Sequence, residues 1–208
     1  IRHTKEQIRE GIRQKKLLFD GAFGTYYGGK YDTKQLPELA NLEAPGRVKE
    51  IHREYLEAGA QILRTNTFAA NSFCMDLSRK QIEEILRSGY RLAAEAVSEW
   101  REATGSTRDV YIAADIGQIP GDALAQKDLL SREYEEICRI FLEEGADFFV
   151  FETFSGMEEI LPAVKRIGEQ AFITVQFSVN QFGYSNAGLS ARKLLQRAGA
   201  IGEIDAVG

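Results

Sequence analysis

The sequence has 208 residues, 44% apolar and 27% charged, the balance of a globular chain with a core of its own rather than a disordered one. Its net charge of -5 leaves no electrostatic footprint for nucleic acid or an anionic lipid surface. No apolar run approaches the ~20 residues needed to span a bilayer, and no apolar secretion signal opens the chain, so a cytoplasmic protein without membrane partners is expected.

In chain order, Thr4 to Gln14 is predicted as a short helix, with Ile8 and Ile12 one turn apart, closing the bottom of a barrel or packing at its side. Lys5, Arg9, Arg13, Lys15 and Lys16 have acids among them and read as a solvated face. Leu17 to Phe19 reads as a first strand that stops on Asp20, followed by Gly21, Ala22 and Gly24 in a loop. Tyr26 to Pro45 is then a long connection, either a lid or an insertion. Val48, Ile51, His52, Tyr55 and Leu56 lie on one face of a helix that stops at Gly59.

A second strand, Gln61 to Arg64, enters a loop of Thr65, Asn66, Thr67 and Phe68. Ser78 and Gln81 have capping-box spacing and start a helix running to Trp100, in which Gly89 is a weak point. Val110 to Ala114 is a third strand ending on Asp115, and Tyr134, Ile137, Cys138, Phe141 and Leu142 form the cleanest helical stripe, making Cys138 structural. A fourth strand ends on Glu152, and Ser155 with Glu158 is expected to be a second capping box. Phe172 to Val179 is a fifth strand, Ala191 to Arg197 a helix, and Ile204 onward the start of a sixth strand. Gly59, Gly145 and Gly199 each follow a helix and precede a strand, as left-handed helix terminators do.

Alternating strands and helices allow an open doubly wound sheet or a closed barrel. The barrel is favoured, because no GxGxxG opens a helix and polar residues end almost every strand. The fold expected is therefore α/β, a (β/α)8 TIM barrel, present as about its first six units in one incomplete domain over 1–208. Parallel strands point one way, so Asp20, Asp115 and Glu152 converge on one rim. Asp20 and Glu152 are the candidates for a ligand's cationic group, with Thr65, Asn66 and Thr67 offering hydroxyls and an amide, and the Gly21–Ala22 and Gly24–Thr25 turns offering N–H groups to a carboxylate. Together these describe a site for an amino-acid zwitterion. His3 and His52 read as structural or exposed, and no residues in the sequence are assigned as metal ligands or as catalytic groups.

The segments Asp20–Thr25, Asn41–Leu42, His52–Ala60, Thr65–Phe68, Asp115–Gly117 and Phe151–Phe154 occur in an order and spacing that resembles the homocysteine S-methyltransferase family. The Thr65–Phe68 loop looks most like the homocysteine module of cobalamin-dependent methionine synthase and of methylenetetrahydrofolate reductase fusions. The resemblance implies homocysteine as substrate, methionine as product, and a zinc ion on three cysteines that activates the thiol, with cobalamin or folate reached through other domains. It also implies that Asp20 and Glu152 hold the substrate amino group, that the first two strand-end loops lie near its carboxylate, and that Asn66, Thr67 and Asp115 line the pocket.

The family's zinc cysteines fall beyond Gly208, and Cys74 and Cys138 match neither of their positions, so this polypeptide is expected neither to hold stoichiometric zinc nor to transfer methyl groups. Two alternatives stand beside this reading. One is a Mg2+-dependent barrel lyase or aldolase using the three strand-end acids, and the other is a non-catalytic homologue that binds an amino acid.

Overall fold

Helices and parallel strands alternate through the computed structural model, which describes residues 3–121 and 126–208. Helix α1 (Lys5–Gln14) opens on a capping box between Thr4 and Gln7. A single residue of extended chain follows, Phe19, bridged in parallel to Ile62. Then come α2 (Phe23–Tyr31), a 3-10 turn (Pro37–Leu39), α3 (Ala40–Glu43), α4 (Pro45–Glu57) and β1 (Ile62–Arg64). The chain continues through α5 (Arg79–Thr104), β2 (Tyr111–Gly117), α6 (Lys127–Glu144), β3 (Phe148–Phe154), α7 (Leu161–Ile167), β4 (Phe172–Phe177), α8 (Ala191–Gly199) and β5 (Ala206–Val207).

The five strands form one sheet in the order β1-β2-β3-β4-β5, every pair parallel. Each strand lies beside its sequence neighbour without the reversal of order that defines a doubly wound sheet, so the progression is that of a TIM barrel. Alternation along the strands sorts the side chains into two cores. Ile62, Tyr111, Ala113, Phe148, Val150 and Phe172 face inward and pack on Ile8 of α1, which therefore closes the bottom of the barrel rather than its side. Phe149, Phe151, Ile173 and Val175 face outward into the larger core formed with α5, α6 and α7.

Several expectations change here. The first strand is reduced to the Phe19 bridge, because its pairing is confined to the Leu18–Ile62 neighbourhood and Leu18 is exposed. The long connection after it is largely helical: Phe23, Tyr27 and Tyr31 recur every fourth residue and pack ring against ring, a periodicity that Gly28 and Gly29 obscure. The basic N-terminal segment is not a solvated face throughout. The Lys5 ammonium is buried, 2.9 Å from Asp205 and donating to the carbonyls of Gly168 and Glu203, and Arg9 pairs with the same carboxylate.

The Ser78–Gln81 capping box forms as expected. The Ser155–Glu158 box does not: Ser155 donates to Gln118, Glu158 caps the Met157 N–H and pairs with Arg197, and α7 begins only at Leu161, where Pro162 suits the first turn. Gly59 and Gly145 take positive φ as helix terminators, whereas Gly199 ends α8 without one. Among the described residues no helix is long and apolar enough to cross a membrane.

Candidate functional site

The inward row that starts with Ile62, Ala113 and Val150 continues two residues on with Arg64, Asp115 and Glu152, so β1, β2 and β3 each carry one ionisable group to the C-terminal rim. A bulge between Phe151 and Phe154 and a positive φ of 63° at Thr153 turn the chain just past Glu152. For a β-branched residue that conformation is strained, and it lies directly beside the rim acid.

A cavity of about 450 Å3 opens at this rim. Its walls come from the first turn of α2 (Ala22 to Thr25), from Leu36, Pro37 and Glu38, and from the Thr65–Ala69 loop, while Arg64, Asp115 and Glu152 supply its charged side. The first intrahelical bond of α2 runs from the Tyr26 N–H to the Ala22 carbonyl. The amides of Phe23, Gly24 and Thr25 therefore have no acceptor within the helix, a geometry suited to a carboxylate.

Of the residues expected to build the site, Ala22, Thr65, Asn66, Thr67, Asp115 and Glu152 line this cavity. Asp20 and Gly21 do not. Arg64 stands in front of them, its Nε donating to Asp20 Oδ1 at 2.8 Å, its Nη1 to Glu152 Oε2 at 2.6 Å, and its Nη2 to the carbonyls of Asp20 and Gly21. Asp20 also accepts from the Arg64 N–H at 2.9 Å, and its side chain is fully covered.

The polar atoms of the Thr65–Thr67 loop are turned into the protein rather than toward the cavity. The two threonine hydroxyls lie 2.6 Å apart and bond the Asp115 backbone, the Thr67 hydroxyl donating to its carbonyl and Thr65 Oγ1 accepting from its N–H. The Asn66 amide donates to the Pro37 carbonyl and to Asn41 Oδ1, and Asn41 donates back to the Asn66 carbonyl. This loop is a rigid wall, not a set of free donors. Gly89 makes room for it, since a Cβ there would lie 2.5 Å from Thr67 Cγ2 and 2.8 Å from Asn41 Nδ2.

Electrostatics separate the acids. Burial raises the Asp20 carboxyl to about 6, although Arg64 opposes the rise. Burial, and then the neighbouring Glu152 charge, hold Asp115 well above the usual carboxylate range, and its Oδ1 is buried without a partner. Glu38, which was not anticipated, is also buried and raised; one oxygen accepts from the Ala69 N–H while Oε2 is unpartnered. Burial works against the Arg64 charge, but Asp20 and then Glu152 outweigh it and keep the guanidinium firmly protonated.

This donor set does not suit Mg2+, because Arg64 already pairs with two of the acids, and among the described residues no group of three His, Cys, Asp or Glu side chains is placed to hold a metal ion. It does not suit a three-thiolate zinc ion either. The sequence has two cysteines, and Cys138 sits in the outer core, where burial pushes its thiol far up. His52 lies under the aromatic face of α2, 5.1 Å from the Phe23 ring, and is fully buried.

Residues 17–208 match the family model described as homocysteine S-methyltransferase. The betaine–homocysteine S-methyltransferase 1 proteins of Mus musculus and Bos taurus are each 26% identical over 132 residues, which is 63% of this chain and 32% of each relative. The chain thus covers about a third of the length of these curated relatives. Among solved structures, the homocysteine methyltransferase MmuM from Escherichia coli superposes with a TM-score of 0.80 in its metallated form, at 17% identity over 97% of this chain and 76% of that one. Its apo form gives 0.76, at 19% identity over 95% of this chain and 73% of that one. At such identity the likeness is one of fold.

Proposed function

The chain belongs to the homocysteine S-methyltransferase family, and from that premise we propose that its rim cavity binds homocysteine for methylation of the sulfur to methionine. The observation that carries this reading is the pairing, across one cavity, of a carboxylate at Glu152 with open amides in the first turn of α2. An α-amino acid presents an ammonium and a carboxylate one carbon apart; the α2 amides suit the carboxylate, and Glu152 suits the ammonium once Arg64 releases it. In this reading Glu152, with Asp20 behind it, takes the ammonium, and the amides of Phe23, Gly24 and Thr25 take the carboxylate. Asp115 is the third acid of this wall.

Methylation requires the sulfur to give a lone pair to the methyl carbon while the donor leaves with the bonding pair and the thiol proton is lost to solvent. The residues described here orient the amino-acid end and exclude water from one side. Zinc activation of the thiol, as the family resemblance implies, needs thiolates that this donor set does not supply, and we propose that the 208 residues alone bind homocysteine without turning it over. The methyl donor, whether a methylated cobalamin, a folate, betaine or S-methylmethionine, and a cytoplasmic location belong to the same proposal.

Calorimetric titration of homocysteine into the protein tests it. Saturable binding is expected, and Glu152→Gln is expected to weaken it about 10- to 100-fold, the effect of removing a charged partner from a charge-assisted hydrogen bond. Affinity unaffected by that change, with the variant still folded, would remove Glu152 from the site.

A further inference from the structure

Arg64 has no place in the reading just given, yet it is the most heavily bonded side chain at the rim. Four of its N–H groups are used: one on Asp20 Oδ1, one on Glu152 Oε2 and two on the carbonyls of Asp20 and Gly21. Its side chain is 15% exposed, and it forms the cavity wall that hides Asp20. The guanidinium thus spans the gap between the two acids.

We propose that Arg64 is the specificity-determining residue of this pocket, an internal cation in the seat a substrate ammonium needs, so that the pocket also accepts thiol carboxylates lacking an α-amino group. The proposal rests on the rim cavity being the homocysteine site. An ammonium entering between Asp20 and Glu152 must displace a guanidinium held by two charge-assisted bonds and two carbonyl bonds, which offsets most of what the ammonium gains. A ligand without that group loses nothing by leaving Arg64 in place. Its carboxylate still meets the α2 amides.

The test compares homocysteine with 4-mercaptobutanoate, which differs only in lacking the amino group, by calorimetric titration under reducing conditions. Their affinity ratio cancels whatever the thiol and carboxylate contribute. For the unaltered protein the preference for homocysteine is expected to stay below about tenfold, because amino-group recognition is cancelled by displacement of Arg64. In Arg64→Gln, which keeps a donor near the carbonyls and removes the charge, the preference is expected to rise by about tenfold or more. Arg64→Lys, which restores the cation, is expected to return it toward the original value.

A preference above about a hundredfold in the unaltered protein overturns the proposal without any variant, should Arg64→Gln fail to fold. An unchanged ratio in Arg64→Gln, or equal weakening of both ligands, overturns it as well and leaves Arg64 a structural brace. If homocysteine binds and the ratio does not move, the functional reading survives and this one fails. If neither thiol binds, both fall together.

Discussion

Asp205→Ala is expected to lower the unfolding free energy by about 3–5 kcal/mol, the cost of stranding a buried charge by removing its partner. The Asp205 side chain is wholly covered and accepts from Lys5, from Arg9 and from the Ile173 N–H. Without it the Lys5 ammonium keeps only the carbonyls of Gly168 and Glu203 and has no counter-charge in that site. Helix α1 is held to the barrel bottom by this cluster and by Ile8, so the loss falls on closure of the inner core. Urea denaturation at neutral pH measures it. A change under about 1 kcal/mol would show that α1 is docked by apolar contact alone.

The second large effect follows from His52. Both ring nitrogens are buried without partners, and burial lowers its pKa to about 4. In the unfolded chain it titrates near 6.5. Between those values the unfolded state takes up a proton that the native state refuses, so its contribution is complete above about 6.5 and is lost as pH falls toward 4. The swing is about 3 kcal/mol.

Asp20 acts in the opposite sense. Its carboxyl is raised to about 6, so the native state binds a proton there more readily, and this contribution to stability grows as pH falls from about 6 toward 3.8. The two trends overlap, and the unaltered protein alone will not separate them. The difference between it and His52→Leu does: the variant is expected to gain relative stability steadily from pH 6.5 to 4.5. A difference independent of pH would mean that the imidazole is solvated or hydrogen-bonded in solution.

Much of the architecture was legible because burial imposes a period. The stripes through Tyr134 to Leu142 and Val48 to Leu56 marked helices, and apolar runs ending on Asp115 and Glu152 marked strands pointing one way. Features set by distant partners were not legible. Lys5 reads as a surface lysine until Asp205 is folded beneath it, and Ser155 has the spacing of a cap, but Gln118 takes its hydroxyl.

The site divides the same way. Six of the eight anticipated residues line the cavity, while Asp20 and Gly21 lie behind Arg64. The signal for Arg64 was present: it stands two residues beyond Ile62, as Asp115 does beyond Ala113 and Glu152 beyond Val150, and the strand period puts all three on the inner row. Glu38 and Asn41 carried no such signal. Their roles depend on how the segment after α2 folds over the Thr65–Thr67 loop.

A crystal structure of the protein with homocysteine bound would test the amino-acid site at the rim directly. The ligand is expected in the rim cavity, its ammonium on Glu152 with Arg64 displaced toward solvent, and its carboxylate on the amides of Phe23, Gly24 and Thr25. Homocysteine seated outside this cavity, or lying in it with carboxylate and ammonium exchanged, would rule out the proposed site.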